Sequence, residues 1–370
     1  MKLVQALHPR DNALNAWRLT LALGVIFVHA WALTGRRMDH LFVQFADQVL
    51  VDGFFVISGF LITSSWVRKP RVSQYLAARG LRIFPGLWVC LLVVAFVIAP
   101  IGVAIQGGSA AKLLMSSAPI EYVLNNAVLN VYHAGIAGTP RGIPWPGVWN
   151  GSLWTLIFEV MLYITVVLAG VAGLLKRRWP AVAVFALALV AAAVFSYPVH
   201  AVETIPQMVA RFALVFAAGA VLHQFQDMVP ARWSLVALCA AIVIAASLFV
   251  PNYRTVAVLP LAYAVIVSGA LIKNPRLRLP NDLSYGTYVY AWPIQQLLII
   301  CGLGFLPPVV FGIIATIATL PLAALSWFQV EKRAMRLKSR FKPKTHAETT
   351  TEAQIERDAN PVDPASQQPA

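Results

Sequence analysis

The chain has 370 residues, a length that ordinarily makes two or three soluble domains. Hydrophobic residues account for 59% and charged residues for only 12%, about half the charged share of a soluble domain, so a soluble fold could not cover its surface. Secreted, fibrous and disordered classes are excluded, and a polytopic membrane protein remains. The formal charge of +14 raises nucleic acid as a partner, but the cations are distributed as a membrane topology would place them. No nucleic acid is expected.

A bilayer core about 30 Å thick is crossed by about 20 apolar residues. Ten stretches meet that length, at roughly 16–35, 49–67, 83–106, 152–175, 180–197, 205–225, 233–250, 255–272, 284–303 and 308–329. Barrel strands alternate over about ten residues, so the predicted fold is an all-α, ten-span transmembrane helical bundle occupying residues 1–340. Placing both termini in the cytoplasm gathers Lys2, Arg10, Arg18, Arg68, Lys69, Arg71, Arg79, Arg82, Lys176, Arg177, Arg178, Arg232, Lys273, Arg276, Arg278 and the run from Lys332 to Lys344 on one side. Only Arg36, Arg37, Lys112, Arg141 and Arg254 fall on the other, as the positive-inside rule requires. The basic surplus is therefore mostly topological, with attraction to anionic headgroups added.

Ala30-Trp31-Ala32 imitates a signal-peptidase site, but cleavage there would misorient the next span, so an uncleaved anchor is expected. Residues 341–370, rich in Thr, Glu, Gln and Pro from His346 on, read as a disordered cytoplasmic tail. Cys90, Cys239 and Cys301 fall in apolar runs without metal or disulfide spacing and read as small buried hydrophobes. No internal repeat is evident, which weighs against an inverted-repeat transporter. The largest external loop, 107–150, is expected to hold a short amphipathic helix over 111–126 and then irregular backbone. Its aromatics Tyr132, Trp145 and Trp149 are of a kind that stacks on sugar faces.

Ionisable groups inside spans are costly, so each is examined for function. Arg18 and His29 are eleven residues apart, within about 20° of three whole turns, and so share a helix face about 17 Å apart. The spacing suits a long ligand with an anionic head at the cytoplasmic mouth and a reactive end in the membrane; an anchor arginine and a packed histidine account for it equally simply. Asp52 opens the second span, where it either orients a histidine ring or rests in the interface. Ser58-Gly59 reads as a close helix contact. Arg79 and Arg82, at i and i+3, face the same way and form either a phosphate clamp or a topogenic cluster.

The fourth span carries the most periodic signal. Ser152, Thr155, Glu159 and Tyr163 fall at about 0°, 300°, 340° and 20° around the helix, one polar stripe that must face the bundle interior or a cavity. Arg211 in the sixth span either pairs with a buried carboxylate or meets a ligand. In the ninth, Ser284, Tyr288 and Gln295 share a face beside Pro293, a kink site. His223 reads as interfacial, and His133 and His200 lie in external loops without ligand-like spacing.

Together these segments resemble the membrane-bound acyltransferase-3 family. The resemblance rests on Arg18 and His29 with ten residues between, Asp52-Gly-Phe-Phe-Val-Ile-Ser-Gly-Phe60, Arg79-x-x-Arg82-Ile-x-Pro85, Asn150-Gly-Ser-Leu-Trp-Thr-Leu-x-x-Glu159 and Leu283-Ser-Tyr-Gly-x-Tyr-x-Tyr290, in family order from about 12 to 335. The chain looks like the stand-alone form, without an appended esterase-like domain. One departure stands out: where many relatives carry a histidine in the ninth span, this chain has Ala291, followed by Trp292-Pro293. The variant looks like a subgroup that includes exopolysaccharide and O-antigen acetylases, and it shifts weight onto His29.

The resemblance implies an integral inner-membrane enzyme that moves an acyl group, acetyl first among them, from cytoplasmic acyl-CoA to a hydroxyl of a surface or exported glycan, or of a lipid-linked glycan. In it Arg18, Arg79 and Arg82 bind the donor phosphates. His29 acts as general base, or is itself acylated, with Asp52 or Glu159 orienting it. Ser152, Thr155, Tyr163, Arg211, Ser284, Tyr288 and Gln295 are candidate substrate-lining residues. No metal or prosthetic group is implied; the expected partners are acyl-CoA, the glycan, the bilayer and a polysaccharide export machinery. A transporter or flippase with a buried relay, and an export-complex subunit with structural charges, are the competing classes.

Overall fold

A computed structural model describes residues 1–8, 11–38, 44–129, 133–195 and 203–338. Arg10, Tyr132, His200, the end of the basic run after Lys338 and the expected tail at 341–370 lie outside the described residues. Among those described, ten helices of sixteen residues or more follow one another: α1 (Leu14–Leu33), α2 (Val49–Arg68), α3 (Val72–Val93), α4 (Thr155–Val171), α5 (Trp179–Val194), α6 (Ile205–Gln224), α7 (Trp233–Phe249), α8 (Arg254–Leu271), α9 (Ser284–Ile300) and α10 (Pro308–Ser326). Helix α3 continues through a π-turn at Val94–Ile98 into Ala99–Ile105, and α10 does so through Trp327–Glu331 into Lys332–Arg336. Extended pairing among the described residues is limited to three isolated bridges.

Among the described residues, six helical stretches are long and apolar enough to cross a membrane: Leu14–Leu33, Phe45–Arg68, Val72–Ile105, Ile205–Gln224, Arg254–Leu271 and Pro308–Arg336. The apolar helices α4, α5 and α7 have only 17, 16 and 17 residues. At 1.5 Å per residue such a helix rises about 25 Å, short of the hydrocarbon core. Helix α9 is equally short, and Ser284, Tyr288, Gln295 and Gln296 keep it too polar to read as a span on hydropathy alone. Helix α3 begins at Val72, eleven residues before the span expected at 83, because the segment after Arg71 turns Tyr75 and Ala78 inward as helix. The loop helix expected over 111–126 is two pieces, Ala110–Met115 and Ala118–Ala127. The break falls at Ser116-Ser117, just before Pro119 takes a first-turn position, where its missing N–H costs nothing.

Helices α2, α6 and α8 form the largest core, built on Phe55, Val56, Phe60, Phe212, Val215 and Ile266. A second core joins α3, α4 and α9, and a third joins Ile26, Ala30 and Leu33 of α1 to Ala291, Trp292 and Phe311. The α2–α6 contact brings backbone against backbone. A Cβ on Gly59 would stand 2.0 Å from the Phe216 carbonyl oxygen, and one on Gly219 2.1 Å from that of Val56. This is the close helix contact expected of Gly59, and backbone atoms cannot swing aside as a side chain can. Gly59→Ala and Gly219→Ala are each expected to cost about 1–3 kcal/mol by overpacking, visible as a lower melting temperature in detergent. An unchanged melting temperature would contradict the contact.

Two expectations change here. Trp149 is fully buried against Gly102 and cannot meet a sugar, whereas Trp145 is 44% exposed. Cys301, at the C-cap of α9, is exposed and Cys239 is half-buried, while Cys90 is buried as expected.

Candidate functional site

Thr155, Glu159 and Tyr163 of α4 line cavities along its length, and Ser152, expected on the same helix, joins them from the turn before α4. A cavity of about 240 Å³ is walled by Arg18, Arg79, Arg82, Glu159, Tyr163 and Tyr285. It adjoins a narrow one of about 50 Å³, with which it shares Arg18, Ser58, Glu159 and Tyr285. The narrow cavity in turn shares Val51, Thr155 and Tyr288 with a chamber of about 1110 Å³. His29, Trp145, Ser152 and Trp292 line that chamber. Helix α1 supplies Arg18 at one end and His29 at the other; α9 supplies Ser284, Tyr288 and Trp292, each a turn further along. Where the narrow cavity meets the chamber, the hydroxyls of Thr155 and Tyr288 are hydrogen-bonded at 2.7 Å. Tyr163 donates its hydroxyl hydrogen bond to Glu159 one turn along the same helix.

At the arginine end, two carboxylates are already in place. Asp282 accepts from Arg18 and, at 2.7 Å, from Arg82, whose other nitrogen donates to Glu331 at 2.8 Å. The second oxygen of Asp282 accepts the Ser284 hydroxyl at 2.5 Å and its backbone N–H at 3.2 Å, fixing the start of α9. Burial pushes the Asp282 carboxyl up, but Arg18 and Arg82, with the Ser284 bonds, hold it below the ordinary carboxylate range. A lowered carboxylate pKa stabilises the fold above the unfolded value, so this support persists at neutral pH and is lost only as acid protonates Asp282. Arg82 is therefore spent within the protein. Arg79 is not: its Nε has no protein partner, and its guanidinium lies 5.8 Å from the Tyr163 ring and 6.0 Å from that of Tyr75.

Asp52 does not orient His29. Its two oxygens accept from Arg211 Nε at 2.9 Å, from Arg254 Nε at 2.6 Å and from the Tyr253 hydroxyl. Asp52 and Arg254 are both fully buried, and Arg211 reaches Glu203 as well, at 3.1 Å. Two cations outcompete a neutral imidazole for one carboxylate, so Arg211 takes the buried-partner role and not a lining one. Gln295 is also a brace: its Nε2 donates to the Ile26 carbonyl at 2.9 Å, tying α9 to α1. Glu159 faces the arginine end and the narrow cavity and is not in the chamber wall. His223 is buried, edge-on to Phe60 at 5.2 Å with Gln226 on its Nδ1.

His29 stands edge-on to Trp292, ring centroids 4.7 Å apart, and its Nδ1 has no protein partner. Trp292 in turn meets Trp145 at a right angle, 5.7 Å between centroids. Sequence reasoning passed over Asp282, Glu331, Arg254 and the packing of Trp292 on His29. One signal was available: Arg254 falls on the side where the charge rule leaves few cations, which calls for a partner.

Fold and site define a multi-pass helical membrane protein whose interior holds adjoining polar cavities, with arginines at one end and a histidine at the other. The family described as "Acyltransferase domain" matches residues 11–328, and the chain belongs to this acyltransferase-3 family. It is similar to the O-acetyl transferase of Shigella phage Sf6, 28% identical over 342 residues that cover 88% of this chain and 96% of that one. It is similar as well to nodulation protein 10 of Rhizobium leguminosarum bv. viciae, 29% identical over 362 residues covering 89% and 94%. No solved structure matches the chain significantly.

Proposed function

We propose that this membrane acyltransferase moves an acyl group, acetyl in preference to longer ones, from cytoplasmic acyl-CoA to a hydroxyl of a surface or exported polysaccharide. The reading places ten spans in the inner membrane with both termini cytoplasmic, α4, α5, α7 and α9 spanning with the help of their flanking residues. The observation that carries it is the series of adjoining cavities from Arg79 to His29, along a helix face about 17 Å long. Similarity to a phage O-acetyl transferase supports an acetyl group and an oxygen acceptor.

In this reading the donor phosphates meet Arg79 and the exposed side of Arg18, and the pantetheine arm runs past Glu159. The Thr155–Tyr288 hydrogen bond yields to let the thioester reach the chamber. The acceptor oxygen then attacks the thioester carbonyl carbon while a His29 ring nitrogen takes its proton. The C–S bond breaks, and the proton passes from the imidazolium to the CoA thiolate, so no proton is gained or lost overall.

Arg79→Ala is expected to raise the Kd for acetyl-CoA roughly ten- to a hundredfold, the loss of a charged hydrogen bond to phosphate, with kcat nearly unchanged. Calorimetric titration of the purified protein with acetyl-CoA checks this. An unchanged affinity would remove Arg79 from the donor site.

A further inference from the structure

The chamber wall holds polar groups that the fold leaves uncommitted. Ser152 is 1% exposed and Trp292 6%, yet neither Ser152 Oγ nor Trp292 Nε1 has a protein partner. With His29 Nδ1, that makes three such groups on one cavity. Buried polar groups are nearly always paired, so uncommitted ones gathered on a cavity point to a ligand that supplies the partners. Serine donates and accepts, the indole N–H only donates, and the imidazole does either according to tautomer.

The aromatic rings narrow the class further. Trp145 and Trp292 stand at 90° to one another and form a corner of two walls. Trp145 is 44% exposed but not loosely held: Gln296, fully buried on α9, donates to its carbonyl at 2.9 Å and to that of Val148 at 2.7 Å. With the backbone beneath it held, the exposed indole has only its own two side-chain torsions to order on binding. An alkyl tail in this corner would leave Ser152 and Trp292 unpaired. Of the two arginines on the chamber wall, Arg36 is already bonded to the Phe305 and Leu306 carbonyls, and Arg37 shares the wall with the carboxylate of Asp47, so the chamber offers an anion no net cationic pocket.

We propose that Trp145, Trp292 and Ser152 form a binding subsite for a neutral pyranose ring, whose C–H face lies on the indole of Trp145 and whose hydroxyls pair with Trp292 Nε1 and Ser152 Oγ. The chamber, about 1110 Å³, is slightly larger than ordinary ligand sites and takes more than one such ring. The edge-on contact of Trp292 with His29 sets one ring hydroxyl beside the imidazole. This deepens the transferase reading and rests on it for that last step, but the subsite itself is defined by binding.

The test is saturation-transfer NMR on the protein in lipid nanodiscs, using a panel of neutral methyl hexopyranosides with sodium hexanoate and sodium glucuronate as apolar-tailed and anionic controls. The wild-type chain is expected to bind at least one hexoside in preference to both controls. Trp292→Phe keeps an aromatic ring against His29 and removes only the N–H; it and Ser152→Ala should each weaken hexoside binding roughly tenfold, the loss of one hydrogen bond. Trp145→Ala should abolish it, while acetyl-CoA affinity stays the same in all three. The proposal is overturned if no hexoside binds, if the variants bind as wild type does, or if a control competes for the site equally well. Hexoside binding without any acetyl transfer by the wild-type chain would instead sink the transferase reading and leave the subsite standing.

Discussion

His29→Ala is expected to lower acetyl transfer by about 10²- to 10⁴-fold, the contribution of a positioned general base, while the protein reaches the membrane in normal amount. His29 is only partly buried, lines the chamber, and braces no other element by a hydrogen bond among those described. Its loss removes a functional group and one edge contact with Trp292 and leaves the helix packing intact. Release of the CoA thiol from acetyl-CoA, measured beside the membrane level of each variant, checks both halves. A variant that is inactive because it is missing from the membrane, or one that turns over normally, would contradict the assignment.

Asp52→Ala is expected to act in the opposite way, on the fold before the chemistry. Removing this carboxylate leaves Arg211 with Glu203 as its carboxylate partner and takes from both buried arginines the counter-charge they share, and breaking a buried pair typically costs about 3–5 kcal/mol. That is a large fraction of the roughly 5–15 kcal/mol by which a folded protein is stable, so the variant should accumulate poorly and melt well below wild type. Asp52→Asn should be milder, since it keeps the shape and two of the polar contacts. Fluorescence-detected size-exclusion melting separates the cases. A stable but inactive Asp52→Asn chain would restore a direct part in catalysis to this carboxylate.

The sequence revealed the elements that a single helix determines. The stripe Thr155, Glu159 and Tyr163 follows from 3.6-residue periodicity within α4, and each lines one of the adjoining cavities; Ser152, expected on the same helix face, reaches the chamber from the turn before α4. The shared face of Arg18 and His29 is likewise a property of one helix. What could not be read were pairings between elements far apart in the chain. Arg82 meets Glu331 249 residues later, so nothing local distinguishes it from Arg79, which stays uncommitted at its Nε. The same holds for Asp52: a carboxylate in a span demands a partner, but only the packing of α6 and α8 against α2 decides that the partners are arginines and not His29. Trp145 and Trp149 are equivalent in the sequence, and Gly102 decides between them by leaving room for Trp149 alone.

The central claim is His29-dependent esterification of a polysaccharide, and the ester content of the surface polysaccharide tests it most directly. Proton NMR before and after mild alkali would be compared for a strain without the gene and for the same strain carrying the wild-type or the His29→Ala chain, each checked for expression. The account predicts an alkali-labile acetyl signal that the wild-type chain restores and the His29→Ala chain does not. An ester signal indifferent to the gene, or restored equally by both chains, would contradict it.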